Sequence, residues 1–192
     1  DADIIFYNGL HLEGKLVEVF EKMKRTGKTP IALGEELGTA GLIGSDYFAS
    51  NYDPHVWFDI DYFKQFAEKV AAVLSEKDAE NAEAYQANLK KYLGELDTLK
   101  SEVNSLIKTL PKEKRILVTA HDAFNYFGKA YGFEVVGLQG LSTATEAGVQ
   151  DVQKLSAFII DKKIKAIFVE SSVPKRTIEA LQQAVKSKGH EV

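Results

Sequence analysis

The chain has 192 residues and a net charge of −4 with the His neutral, and 45% of the residues are hydrophobic. This composition is typical of a globular protein with a core, and the absence of a cluster of basic and aromatic residues argues against a nucleic acid partner. The chain has no Cys, so disulfides and thiolate metal sites are excluded and any metal site must use nitrogen and oxygen ligands.

The first part of the chain predicts a strand, a helix and a glycine-rich connection. The segment "ADIIFYNG" reads as a buried strand, and helical spacing of apolar residues follows it until about Gly27, at Leu16, Val19, Phe20 and Met23. The stretch "GEELGTAGLIG" has neither the G-x-G-x-x-G spacing nor a following Lys-Ser/Thr pair. It therefore predicts a flexible connection and not a phosphate-binding loop.

Two further helices follow the stretch "NYDPHVWFDI". The second of them is expected to extend from about residue 78 to residue 110, because its apolar residues recur at spacings of three and four without a Pro. Its length of roughly 45–50 Å, at about 1.5 Å per residue, exceeds what a small domain needs. We therefore predict a partial N-terminal α/β lobe at 1–77, a long linking helix at 78–110 and a partial C-terminal α/β lobe at 111–192.

Strands and helices alternate in the remainder of the chain. The predicted strands are "ILVTA", "EVVGL" and "KAIFVE", each followed by a helical segment, and "HEV" is predicted to enter one more strand. Short β-branched segments separated by helices indicate a parallel sheet. Because the chain also starts directly on a strand, we expect it to be a piece of a larger two-lobed α/β protein.

Three of the four His residues lie where predicted elements end. His11 and His121 follow predicted strands, and His55 lies in a turn that leads into a helix. Ligands of open parallel sheets bind at the carboxyl ends of the strands. Each of these His residues, taken alone, is better explained as a core or capping residue. Three of them at the ends of predicted elements favour a shared binding site. His190 lies in a polar segment and is predicted to be a surface residue.

Carboxylates near these His have two possible roles. Asp122 and Glu146 are expected near helix N-termini, where acidic residues interact well with the helix dipole. They could also orient a ligating His. Nucleophilic catalysis has little support, because the chain has no G-x-S-x-G motif and no base that its sequence places near Ser171 or Ser172.

Four segments together resemble a known family: "ADIIFYNGLHLEG", "DPHVWFD", "VTAHDAFNYFGKAYGFEVVGLQGLSTATEAG" and "IFVESSVPKRTIEAL". They are similar to the TroA-like (cluster A-I) zinc and manganese receptors of bacterial ABC importers, and the resemblance covers the entire chain. It implies an α/β fold with two Rossmann-like lobes of mainly parallel sheets, joined by one long rigid backbone helix and incomplete in this chain. One divalent ion is expected in the cleft between the lobes.

The resemblance also implies a ligand set. Its first three ligands correspond to His11, His55 and His121, and Trp57 and Phe58 are expected to form a wall of the site. A fourth ligand, an Asp, is expected beyond Val192. The carboxylates that could support the ligands are Asp122, Glu146 and Glu170, and either Glu could complete the site if the fourth ligand came from within the chain.

The function implied by the resemblance is capture of a transported metal ion and its delivery to an ABC transporter membrane permease. Imidazole ligands favour Zn²⁺ over Mn²⁺, and manganese-dedicated members of the family tend to carry Glu where this chain has His121. A receptor that accepts both ions is the alternative. The protein is expected in the periplasm or on the extracellular face of the membrane, free or lipid-anchored.

Two other functions stay open from the sequence. Three His and a water could form a zinc hydrolase site, although no Glu is paired with these His at a recognisable spacing. A surface adhesin is the third possibility, because relatives of this family carry that name.

Overall fold

The computed structural model describes residues 2–46, 50–141, 147–171 and 173–192. The chain divides into two compact units, Asp1–Thr109 and Leu110–Val192, each with its own two-stranded parallel sheet. A helix of 27 residues lies at the end of the first unit. The α/β class predicted from the sequence, with parallel sheets and one long helix, is confirmed.

The sheet of the first unit is a β-α-β arrangement. Strand β1 (Ile4–Tyr7) leads through helix α1 (Leu16–Arg25) to strand β2 (Thr29–Ala32), which pairs in parallel with β1. The strand and helix predicted at β1 and α1 are confirmed, but all four residues of β1 are half-buried and not buried as predicted. Strand β2 is not predicted by the sequence, because its four residues include Pro30 and a glycine-rich segment follows, features that are uncommon within strands.

Two helices of 18 and 27 residues complete the first unit. Helix α2 (Ile60–Lys77) begins at Asp59, whose carboxylate accepts the Asp61 backbone N–H at 2.9 Å and so caps the helix. A 3₁₀ turn at Ala79–Asn81 leads into helix α3 (Ala82–Lys108), which is about 40 Å long at about 1.5 Å per residue. The predicted long helix is thus confirmed, but it starts later and ends earlier than the predicted range of 78–110. Its role as a link between two lobes stays a prediction.

The second unit follows the predicted alternation of strands and helices over its first four elements. Its elements are β3 (Ile116–His121), α4 (Asn125–Tyr131), β4 (Glu134–Gln139), α5 (Val149–Asp161) and α6 (Lys175–Ser187). Strands β3 and β4 pair in parallel, with His121 opposite Gln139. The core of this unit packs the sheet against α5 and α6, through Val118, Leu155, Ile159, Leu181 and Val185 among others.

The two last predicted strands do not form as regular strands. In "KAIFVE" only Phe168 bridges to β3, with its backbone N–H donating to Val118 O at 2.9 Å. Phe168 and Val169 are 51% and 57% exposed, so this segment lies at the edge of the sheet with little packing to hold a longer strand. Residues 190–192 have no regular secondary structure.

In the described part of the chain, no helix combines the length and the apolar character that a membrane span requires. The 27-residue helix α3, the longest, carries charged residues along its length.

Candidate functional site

His11 lies on a left-handed turn that directly follows β1. Gly9, Leu10 and His11 have φ angles of 81°, 52° and 67°, and such a conformation costs a non-glycine residue about 1–2 kcal/mol. Long-range contacts compensate: Leu10 is buried, its N–H donates to Glu35 Oε1 at 3.2 Å, and its carbonyl accepts from Ser50 Oγ at 3.0 Å. The His11 residue itself is exposed.

Glu13 holds the start of the same turn. Its carboxylate accepts the backbone N–H groups of Asn8 at 2.7 Å and of Gly9 at 3.1 Å. Gly34 packs against the other side, where its N–H donates to Asn8 O at 2.6 Å and a Cβ would lie 2.7 Å from the same oxygen. The segment read as a flexible connection thus includes a glycine that the backbone of the His11 turn requires, and it forms 3₁₀ turns at Gly34–Glu36 and Thr39–Gly41.

His55 is buried in a turn and paired with a carboxylate. Only 5% of the residue is exposed, and its Nδ1 lies 2.6 Å from Oδ1 of Asp53, which is completely buried. The same oxygen accepts the His55 backbone N–H at 3.0 Å. The Trp57 ring meets the imidazole edge-on, with 5.2 Å between ring centroids, and Phe58 lies against Trp57. The ring is therefore held from two sides.

The turns that carry His11 and His55 are linked within the first unit. Asn8 Nδ2 donates to Pro54 O at 3.0 Å and to Gly9 O at 3.0 Å, so one side chain joins the residue before His55 to the start of the His11 turn. Because Pro54 is also fully buried, the positions of the two backbones depend on each other.

His121 is the last residue of β3 and is also paired with a carboxylate. It is 6% exposed, and its backbone N–H donates to Glu170 Oε1 at 3.1 Å. Its Nδ1 lies 2.6 Å from Glu170 Oε2, at ion-pair distance but without the angles of a good hydrogen bond. At this distance a small rotation of the imidazole is enough to correct the angles. Both carboxylate oxygens of Glu170 thus face His121.

The other predicted candidates lie elsewhere. Asp122 is half-buried, and its backbone N–H donates to Gln139 O at 3.0 Å, three residues before α4 begins. Glu146 and Ser172 lie outside the described residues. His190, predicted to be a surface residue, is half-buried, and its Nε2 lies 2.6 Å from Ile164 O.

The structure places the candidates in pairs and does not gather a full ligand set. Among residues 2–46, 50–141, 147–171 and 173–192, no three His, Asp or Glu side chains lie close enough together to hold one metal ion. The binding of one ion by His11, His55 and His121 therefore stays a prediction. Sequence reasoning missed Asp53, Glu13 and Glu35; the only local signal was the D-P-H order, which puts a carboxylate two residues before an imidazole in a Pro turn.

Comparisons with known proteins agree on one family. The model of the periplasmic zinc-uptake complex component A family (ZnuA) matches residues 1–192. The zinc-binding protein TroA of Treponema pallidum (strain Nichols) is 45% identical over 196 residues, which cover 100% of this chain and 61% of that protein. The manganese-binding lipoprotein MntA of Bacillus subtilis (strain 168) is 42% identical over 191 residues, covering 100% of this chain and 62% of that protein.

A solved structure gives the same result for the fold. The periplasmic zinc-binding protein TroA from Treponema pallidum superposes with a TM-score of 0.94 at 43% identity, over 100% of this chain and 68% of that one. The chain spans about three fifths of the length of TroA and of MntA.

Proposed function

Because the chain belongs to the periplasmic zinc-uptake complex component A family, we propose that the protein captures a divalent transition metal ion and delivers it to the membrane permease of an ABC importer. In this proposal one ion is bound by the imidazoles of His11, His55 and His121, and the metal is the transported cargo and not a catalyst. The long helix α3 serves as the link between two lobes. Binding takes place in the periplasm or at the extracellular face of the membrane.

The observation that carries the proposal is the pairing of two buried imidazoles with carboxylates, of which Asp53 is fully buried and Glu170 partly buried. Nδ1 of His55 lies 2.6 Å from Asp53, and Nδ1 of His121 lies 2.6 Å from Glu170. A metal-ligating His usually gives its second ring nitrogen to a carboxylate or a carbonyl, which orients the ring. Two such pairs, at two of the three His that the family resemblance singles out, are the arrangement that metal ligation needs.

Zinc is the cargo that the ligand types favour. One of the two relatives described above is named for zinc and the other for manganese, so their names do not identify the metal that this protein binds. Imidazole nitrogens bind Zn²⁺ much more tightly than Mn²⁺, which prefers oxygen ligands. We therefore propose that zinc displaces manganese from the protein when both are present.

A hydrolase has no comparable support. The relatives named above are binding proteins, and the carboxylate nearest His121 is already engaged, because Glu170 contacts both the backbone N–H and Nδ1 of that residue. A general base for metal-bound water would have to be a different group.

Competition calorimetry tests the proposal. Zn²⁺ is titrated into the purified protein with and without excess Mn²⁺, and the titrations are repeated with His55→Ala and His121→Ala. We expect one zinc per chain, weak competition by manganese and a large loss of affinity in both variants. His190→Ala is the matched control and should bind zinc like the unmodified protein. Equal zinc affinity in all four proteins would contradict the proposal.

A further inference from the structure

A fully buried carboxylate lies directly against one of the proposed metal ligands, and no feature of the sequence assigned it a role. Asp53 is 0% exposed, and its Oδ1 contacts both Nδ1 and the backbone N–H of His55, at 2.6 and 3.0 Å. We propose that Asp53 is a positioning residue that fixes the orientation and the tautomer of His55, so that the imidazole offers Nε2 to the metal. The inference rests on the proposed function, which makes His55 a ligand.

The orientation follows from how Asp53 is itself held. Its backbone N–H donates to Ile43 O at 2.8 Å, next to the bridge between Gly44 and Tyr52. The main chain at Asp53 is therefore held by backbone pairing that does not involve the imidazole. Because one oxygen contacts both the ring and the backbone N–H of His55, the ring is fixed relative to its own main chain. Rotation would break the contact with Asp53 and the edge-on packing against Trp57.

The tautomer follows from the chemistry of the partner. An ionised carboxylate only accepts hydrogen bonds, so the nitrogen that faces it must carry the proton. With the proton on Nδ1, the lone pair of the neutral ring lies on Nε2, and a metal binds imidazole through that lone pair. The carboxylate also makes the ring a more basic ligand. Asp53 thus selects the nitrogen that can bind.

The second unit contains the same arrangement built from different elements. There the carboxylate comes from Glu170, 49 residues after His121, whereas Asp53 lies two residues before its His. In both pairs Nδ1 faces the carboxylate at 2.6 Å. Since local sequence does not impose the geometry in the second case, the shared use of Nδ1 points to a functional requirement and not to a property of one turn.

Imidazole nitrogen NMR on the metal-free, unmodified protein tests the tautomer without any substitution. At neutral pH we expect the ¹⁵N shifts of His55 to show a protonated Nδ1 and an unprotonated Nε2. A ring protonated on Nε2, a mixture of tautomers or a doubly protonated ring would overturn the inference.

Zinc affinity tests the positioning role. Asp53→Asn keeps the shape of the side chain, but its amide can donate to Nδ1 as well as accept from it, so the tautomer is no longer fixed. We expect zinc to bind about 10–100-fold more weakly, the usual effect of removing a partner of a ligating His, together with a changed tautomer signal. Asp59→Asn is the control, because Asn caps a helix as well as Asp does and Asp59 caps α2.

The outcomes separate this inference from the proposed function. If the unmodified protein binds zinc and Asp53→Asn binds it equally well, the positioning role is wrong while the metal receptor stands. If the unmodified protein does not bind zinc, both are wrong. If Asp53→Asn does not fold, the tautomer of the unmodified protein decides.

Discussion

Replacing Gly137 with Ala should destabilise the second unit and weaken metal binding. A Cβ at this position in β4 would lie 2.5 Å from the backbone N of Asp122 and 2.7 Å from its Cα. Since favourable contacts between carbon atoms start at about 3.5 Å, the strand and the turn must separate by up to about 1 Å. The obstructing atoms belong to the backbone, so no side-chain rotation can relieve the contact, and we expect a loss of about 1–3 kcal/mol.

The same displacement should reach the candidate site. Asp122 directly follows His121, and its N–H donates to Gln139 O at 3.0 Å. Moving this turn shifts the proposed ligand away from Glu170. Urea denaturation gives the change in the free energy of unfolding, and a zinc titration gives the change in affinity.

Gly94→Ala is the matched control for this substitution. Gly94 lies within α3, and a Cβ there would meet no atom within 4 Å. Ala should therefore stabilise the helix by about 1 kcal/mol and leave zinc affinity unchanged. The two Gly→Ala substitutions are therefore expected to change the free energy of unfolding in opposite directions. The reasoning fails if Gly137→Ala is as stable as the unmodified protein.

Three further outcomes follow from buried and titrating groups. Ser156→Ala should leave stability unchanged or raise it, because Ser156 Oγ is buried without a hydrogen-bond partner in the described part of the chain; a loss above about 1 kcal/mol in urea denaturation would reveal a partner for this hydroxyl. The Tyr85 hydroxyl donates to Asp78 Oδ2 at 2.6 Å, which lowers the pKa of Asp78 and raises the pKa of Tyr85. The contribution of Asp78 is complete above its unfolded pKa and is lost as the pH falls through its lower folded pKa, whereas that of Tyr85 is complete below its unfolded pKa and is lost as the pH rises through its higher folded pKa. Tyr85→Phe should therefore flatten the dependence of stability on pH at both ends, and an unchanged profile would show that the bond does not form in solution. Zinc affinity, followed by Trp57 fluorescence, should fall when the solution is acidified because protons compete with the metal for its ligands; equal affinity in neutral and acidic solution would argue against imidazole ligands.

The regular elements could be predicted where their periodicity is long. Helix α3 extends over 27 residues with apolar positions at spacings of three and four, so its sequence alone indicates it. Strand β2 has only four residues, and its pairing with β1 depends on the intervening helix, which no local pattern encodes. The segment around Phe168 has residue types that are typical of a strand, but it forms only a single bridge to β3. Strand formation depends on packing against neighbouring residues as well as on propensity.

The site could be predicted at the level of the imidazoles but not of the groups that hold them. His11, His55 and His121 stand out because they end predicted elements. Glu35 contacts Leu10, next to His11, from 25 positions further along the chain, and Glu170 contacts His121 from 49 positions further along. Contacts of this range depend on tertiary structure, and the left-handed backbone at Leu10 and His11 is not signalled by residue type either.

Zinc K-edge X-ray absorption on the loaded protein tests the central claim most directly, because it reports the atoms bound to the metal. The account predicts imidazole nitrogens at about 2.0–2.1 Å from the zinc, with loss of one imidazole signal in each of three variants, His11→Ala, His55→Ala and His121→Ala. A spectrum without imidazole, or one that none of these substitutions alters, would contradict the account.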